Sequence, residues 1–233
     1  MSKFIQNIFS VKNELGHKVW TIFGIKIKYK YIKNKNKILI YKKNGSIKTV
    51  KKVKGLDVKF EGNNNLIEIY EPFLFNDCSI TLNENSTAKF ESTIYKYNKT
   101  NINASFCPGF SLRIGKNTSI GSLDLICVGL RDIKCIIGAN CAFSTGILIQ
   151  AQDGHFIVNK DTNEILNNPN KESINIGEHC WIGRNVQILK NVHLKNDTVV
   201  ALGSVLTKSC EESNVVLAGC PAVVRKTNIN WIR

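Results

Sequence analysis

From Ile176 onward an aliphatic side chain returns at every sixth residue, at Ile182, Ile188, Leu194, Val200 and Leu206. A helix needs apolar spacings of three and four, and an ordinary strand a spacing of two, so a sustained period of six fits neither. It fits short strands joined by tight corners, each hexad forming one flat face of a coil and the aliphatic residues stacking in a dry column. Between these columns stand Cys180, Val186, Val192, Thr198 and Ser204, all small or β-branched. Gly177, Gly183 and Gly203, with Asn185, Asn191 and Asn196, supply residue types that accept tight or left-handed turns. The expectation is an all-β chain wound as a parallel β-helix.

Fainter copies precede the strong block, at Ile114, Ile120 and Ile126 and again at Ile137, Phe143 and Ile149. Their phase slips, which implies short insertions around 127–136 and a longer one at 157–173 that holds Pro169. The chain therefore divides into a basic β segment at 1–55, irregular early coils at 56–108, the regular solenoid at 109–208 and a C-terminal cap at 209–233. A separate small β-domain is the other reading of 56–108. The open end of a solenoid needs covering, and Trp231 and Ile232 are the residues of the cap suited to pack on the last coil. The polar insertion follows His155 directly, and loops on a rigid scaffold tend to carry function.

A chain of 233 residues with eight cysteines and a net charge of +14 invites three other readings. A disulfide framework does not suit a chain of this size with no C-x-x-C pair, so the cysteines are read as reduced, small and buried. No ligand spacing supports zinc, and no metal is expected. The charge would draw nucleic acid, but the lysines of 25–55 alternate with isoleucine, valine and tyrosine, as on a strand with one solvated face, and no recognition motif accompanies them. No apolar run reaches the roughly eighteen residues of a membrane span and no signal-peptide pattern opens the chain, so a cytoplasmic protein is expected, with association at the inner face of the membrane left open.

The stretch "INIGEHCWIGRNVQILKNVHLKNDTVVALGSVLTK", followed by "VVLAGCPAVVRK", resembles the hexapeptide-repeat acyltransferases, and "DGHFIVNKDTNEILN" is similar to the subgroup that O-acetylates bacterial surface polysaccharides, including sialic acid. The resemblance implies left-handed coiling, a homotrimer and acetyl-CoA bound in clefts between neighbouring solenoids. It places His155 as the catalytic base, a role imidazole suits because it titrates near neutrality. Asp153 either orients that imidazole or shapes the turn at Gly154. Trp181 matches a tryptophan near the thioester arm or acceptor, and a contact between subunits is compatible with that. Ala201, Gly203 and Ser204 match the backbone that lines the pantetheine channel, and Ser144 a polar position near the acceptor. Lys208, Arg225 and Lys226 match the region that meets the coenzyme's phosphates, although a solvated basic tail would look the same. Cys220 stands where relatives commonly carry asparagine. The remaining histidines, His17, His179 and His193, are read as structural or exposed.

The function expected is acetyl transfer from acetyl-CoA to a sugar hydroxyl of a surface glycan, with sialic acid as the acceptor. N-acetylation of an amino sugar is the first alternative, and a non-catalytic scaffold or glycan-binding module the second.

Overall fold

The computed structural model describes residues 9–14, 17–22, 25–30, 35–129, 131–167 and 173–233, the first three stretches by backbone alone. Two compact units divide at Lys35 and Asn36, inside the segment that the sequence sets apart as 1–55. In the first, the strands Phe9–Glu14, His17–Ile22 and Ile25–Lys30 pair antiparallel in chain order. The side chains of the lysine-rich 25–34 stretch, and that of His17, lie outside the described residues.

The second unit is a three-faced prism of parallel strands, with sheets of eight, eight and seven strands. The chain visits the faces in a fixed order. One coil runs Lys134–Ile137 on the first face, Ala142–Phe143 on the second and Ile147–Gln150 on the third; the next runs Ser173–Ile176, Trp181–Ile182 and Gln187–Leu189. Each strand pairs in register with its counterpart one coil on.

Register explains the hexads. Ile69, Phe90, Ile114, Ile137, Ile176 and Leu194 stack on the first face. Phe75, Tyr97, Ile120, Phe143, Ile182 and Val200 stack on the second. Ile80, Ile102, Leu125, Ile149, Ile188 and Leu206 stack on the third. All are buried, each contributing roughly 1.5–3 kcal/mol of transfer free energy. Leu125, not Ile126, carries the third column, because the corner after Ile120 is one residue shorter and turns Ile126 outward to pair with Gln150. Residues 56–106 pair strand for strand with the later coils, and the solenoid reaches back to Lys37–Tyr41, to which Ile47–Val50 adds as an antiparallel edge strand.

The first corner, between faces one and two, shows why cysteine and threonine fill the small positions. Thr118 Oγ1 donates to Gly138 O at 2.9 Å, Cys141 Sγ to Gly177 O at 3.2 Å and Cys180 Sγ to Lys195 O at 3.4 Å, so each bonds the backbone of the next coil. The outward turn residues of this corner, Asn117, Asn140, His179 and Asp197, all have φ between 53° and 58°. The left-handed residue after Lys195 is thus Asp197, not Asn196, whose side chain accepts from the Glu178 amide. Seven cysteines are buried thiols and Cys220 is exposed.

The start of the C-terminal segment covers the last coil: Cys210, Val215 and Leu217 are buried with the core, and Ala222 and Val224 pack against it. Val216–Gly219 extends the second face and Ala222–Lys226 folds back antiparallel to it, after which the tail climbs the first corner towards earlier coils. Trp231 stacks on His179, Arg233 reaches Cys141 and Asn117, and Ile232 stays 91% exposed. Stacking and carbonyl acceptors along the corner hold these last residues.

Candidate active site

His155 lies at the third corner, between Ile147–Gln150 on the third face and Ser173–Ile176 on the first. It is exposed, just after Gly154, whose φ of +73° opens the turn, and its amide donates to Asp153 O at 2.8 Å. The segment after it folds on itself through a bridge between Val158 and Ile165 and presents Phe156, Ile157 and Leu166 to solvent. Residues 168–172 of the expected insertion, with Pro169, lie outside the described residues.

The base of this loop is tied by Asn167, which donates to Asp153 Oδ2 at 2.7 Å and to His155 O at 2.9 Å and accepts from the Ile157 amide at 2.6 Å. Lys190, one coil on at the same corner, pairs with the same carboxylate oxygen. Partial burial works to raise the Asp153 pKa, but the Lys190 ammonium and the Asn167 amide outweigh it and hold the carboxyl below its ordinary value. The carboxylate is thus engaged by the loop base, which favours turn shaping over polarising the imidazole. Beside it Gln152 is buried with both amide atoms unpartnered.

Apart from Lys208, the other sequence-derived residues fall on the second face and its far corner. Trp181 stands outward, 46% exposed, between the small neighbours Ala142 and Val199. Ser144, Ala201, Gly203 and Ser204 follow this face at the second corner. Gly183 in that corner is tight: a Cβ would approach Leu202 N to 2.7 Å. The amides expected to meet a cofactor are spent, since Ala201 N donates to Leu217 O, Gly203 N to Arg184 O and Ser204 N to Ala201 O. The Ser204 hydroxyl is buried and accepts from Gly219 N. Ser144 is half-buried, its amide donating to Ile182 O. Arg225 and Lys226 are exposed on the strand added to this face, whereas Lys208 shares the third corner with His155 and Lys190.

In a triangular section the third corner is the vertex opposite the second face. One copy of the solenoid therefore sets His155 and Lys208 on one side and Trp181, Ser144, Arg225 and Lys226 on the other. His179, read from the sequence as structural or exposed, pairs with Asp197 at 2.8 Å and stacks on Trp231, whose ring lies 6.0 Å from Trp181. No periodicity marks Trp231, so only the fold could place it there. Among the described residues no group of three His, Cys, Asp or Glu is arranged to hold a metal, and no helix is long and apolar enough to cross a membrane.

No family model matches the chain. It is 30% identical over 129 residues to the polysialic acid O-acetyltransferase of Escherichia coli O1:K1 / APEC, a match covering 54% of this chain. The chain spans only 39% of that relative's length. Among solved structures, the polySia-specific acetyltransferase NeuO superposes with a TM-score of 0.58 at 25% identity, over 86% of each chain. The chain is thus similar, in sequence and in fold, to polysialic acid O-acetyltransferases. The polysialic acid O-acetyltransferase OatWY superposes with a TM-score of 0.52 at 26% identity, over 85% of this chain and 88% of its own. These relatives share the left-handed parallel β-helix, the sense of coiling expected here.

Proposed function

We propose that the protein transfers an acetyl group from acetyl-CoA to a hydroxyl of a sialic acid glycan, at a site completed by a second copy of the chain in a homotrimer. The observation that carries this reading is the placement of His155 on the vertex opposite the face that bears Trp181. The exposed apolar loop tip beside His155, Phe156 to Leu166, gives that vertex a surface that association would cover. The likeness to polysialic acid O-acetyltransferases supports the donor and the acceptor.

In the cleft so formed, one copy supplies His155 and Lys208 and its neighbour supplies Trp181, Ser144, Arg225 and Lys226. The imidazole takes the proton of the sugar hydroxyl as its oxygen attacks the thioester carbonyl, and returns it to the departing thiolate. A new ester C–O bond forms, the C–S bond breaks, and no acyl-enzyme is needed. Arg225, Lys226 and Lys208 meet the coenzyme's phosphates. With their amides spent in the coil, Ala201 and Gly203 offer the pantetheine arm a smooth wall at the second corner, and the buried Ser204 backs it. Trp181 packs against the thioester arm or the acceptor ring. The basic N-terminal segment and its lysines suit an acidic acceptor, and a chain that works on the cytoplasmic side, at or near the membrane, fits a glycan still under assembly.

The test is thiol release from acetyl-CoA with oligosialic acid, neutral glycans and amino sugars as acceptors. Turnover on the sialylated acceptor that falls about 10²–10⁴-fold in His155→Ala is the expected result. Undiminished turnover in that variant would remove the base, and turnover on amino sugars alone would make the protein an N-acetyltransferase.

A further inference from the structure

The climbing C-terminal tail encloses a groove of about 340 Å³ at the first corner, lined by Tyr95, Asn117, Asn140, His179, Trp231 and Arg233. Its floor is the left-handed turn ladder, in which Asn117 Nδ2 reaches Asn140 Oδ1 at 3.4 Å. Trp231 forms one wall, anchored by its Nε1 donating to His179 O at 2.7 Å. Tyr95 forms the other, with the Arg233 guanidinium 4.1 Å over its ring. That guanidinium donates to Cys141 O at 2.6 Å and to Asn117 O at 3.4 Å, and among the described residues no Asp or Glu pairs with it.

We propose that this groove is a subsite for one carboxylate-bearing sugar residue of the acceptor, next to the residue that receives the acetyl group. The proposal rests on the reading of the acceptor as an acidic glycan. The volume is at the small end of the roughly 300–1,000 Å³ of small-ligand clefts, room for one pyranose ring and not for a chain. Aromatic walls suit the C–H face of a pyranose, the Asn117 and Asn140 amides suit its hydroxyls, and a guanidinium fork recognises a carboxylate. The 6.0 Å between Trp231 and Trp181 joins the groove to the face that bears the proposed transfer site, so neighbouring residues of one glycan span both.

The experiment is titration of the full chain with a sialic acid dimer and with its carboxyl-reduced analogue, followed by ligand-observed NMR, in the absence of coenzyme. Two groove variants accompany it. Arg233→Gln removes the charge. Asn140→Asp adds a repelling carboxylate at a turn position of a kind that Asp197 already occupies with φ of 58°, so the fold is kept. Binding of the acidic dimer that weakens about tenfold in each variant and in the reduced analogue, and is unchanged in His155→Ala, is the expected result. Equal binding of the reduced analogue, or unchanged binding in both variants, overturns the subsite. So does coenzyme A displacing the dimer from wild type while losing its own affinity in Arg233→Gln, which would make the groove a nucleotide site. Carboxylate-dependent binding without acetyl transfer on any acceptor would sink the enzymatic reading and leave the subsite; transfer with an unaltered KM in both variants would do the reverse.

Discussion

Tyr97 sits in the second column between Phe75 and Ile120, fully buried, with its hydroxyl unpartnered. Burial raises its pKa well above that of an exposed phenol, with Glu91 and Cys141 adding to the effect. A buried hydroxyl without a partner forgoes its hydrogen bond to water, so Tyr97→Phe should raise stability by about 1 kcal/mol, read as a higher denaturant midpoint at unchanged slope. Asp153 behaves in the opposite sense. A carboxyl whose folded pKa is depressed contributes its stability above the ordinary value near about 3.9 and loses it as pH falls through the folded value. As pH falls below the ordinary carboxyl value and through the lower folded one, the tie between Asp153, Lys190 and Asn167 should therefore loosen, and the Asn167 side-chain amide resonances should shift. In Asp153→Asn that acid transition should be missing. A transition that persists in the variant would assign it to another group.

At the level of strands and corners, Ile188 is the hexad residue to probe, because it is buried between Ile149 and Leu206 with both coils held in register. Ile188→Ala should cost about 2–5 kcal/mol, and thermal or chemical unfolding that shows less than about 1 kcal/mol would mean the column relaxes around it. The columns from Ile176 to Leu206 were legible in the sequence because every corner there has the same length. Where a corner shortens, as after Ile120, the period misassigns the inward residue by one and Leu125 goes unseen. The partners of the candidate base were equally hidden. Lys190 lies a full coil away from Asp153, and only stacking brings them together. His155 was legible as a candidate because a polar insertion breaks a regular pattern beside it. In the tail Trp231 was legible as a packing residue, but not what it packs on, since Trp231 and Arg233 follow no period and are held by carbonyls that no side-chain pattern reveals.

For the whole molecule, the proposed site, divided between opposite sides of the solenoid, makes a prediction about mixtures. His155→Ala and Trp181→Ala should each be inactive alone, yet subunits of the two exchanged into one assembly should regain part of the activity, because some clefts then hold an intact histidine facing an intact tryptophan. Sedimentation should show an assembly of about three times the 26.1 kDa chain. A monomer with full activity, or exchanged assemblies that stay inactive, would place the whole site within one copy. The tail along the first corner bears on a different property. A solenoid is ordinarily a one-dimensional stack in which each layer is coupled only to its neighbours, so its ends fray. Here one segment touches Asn214, His179, Cys141 and Asn117 on four separate layers. Those layers share a fastening that nearest-neighbour stacking lacks, and the C-terminal half should melt in a single step instead of unwinding turn by turn.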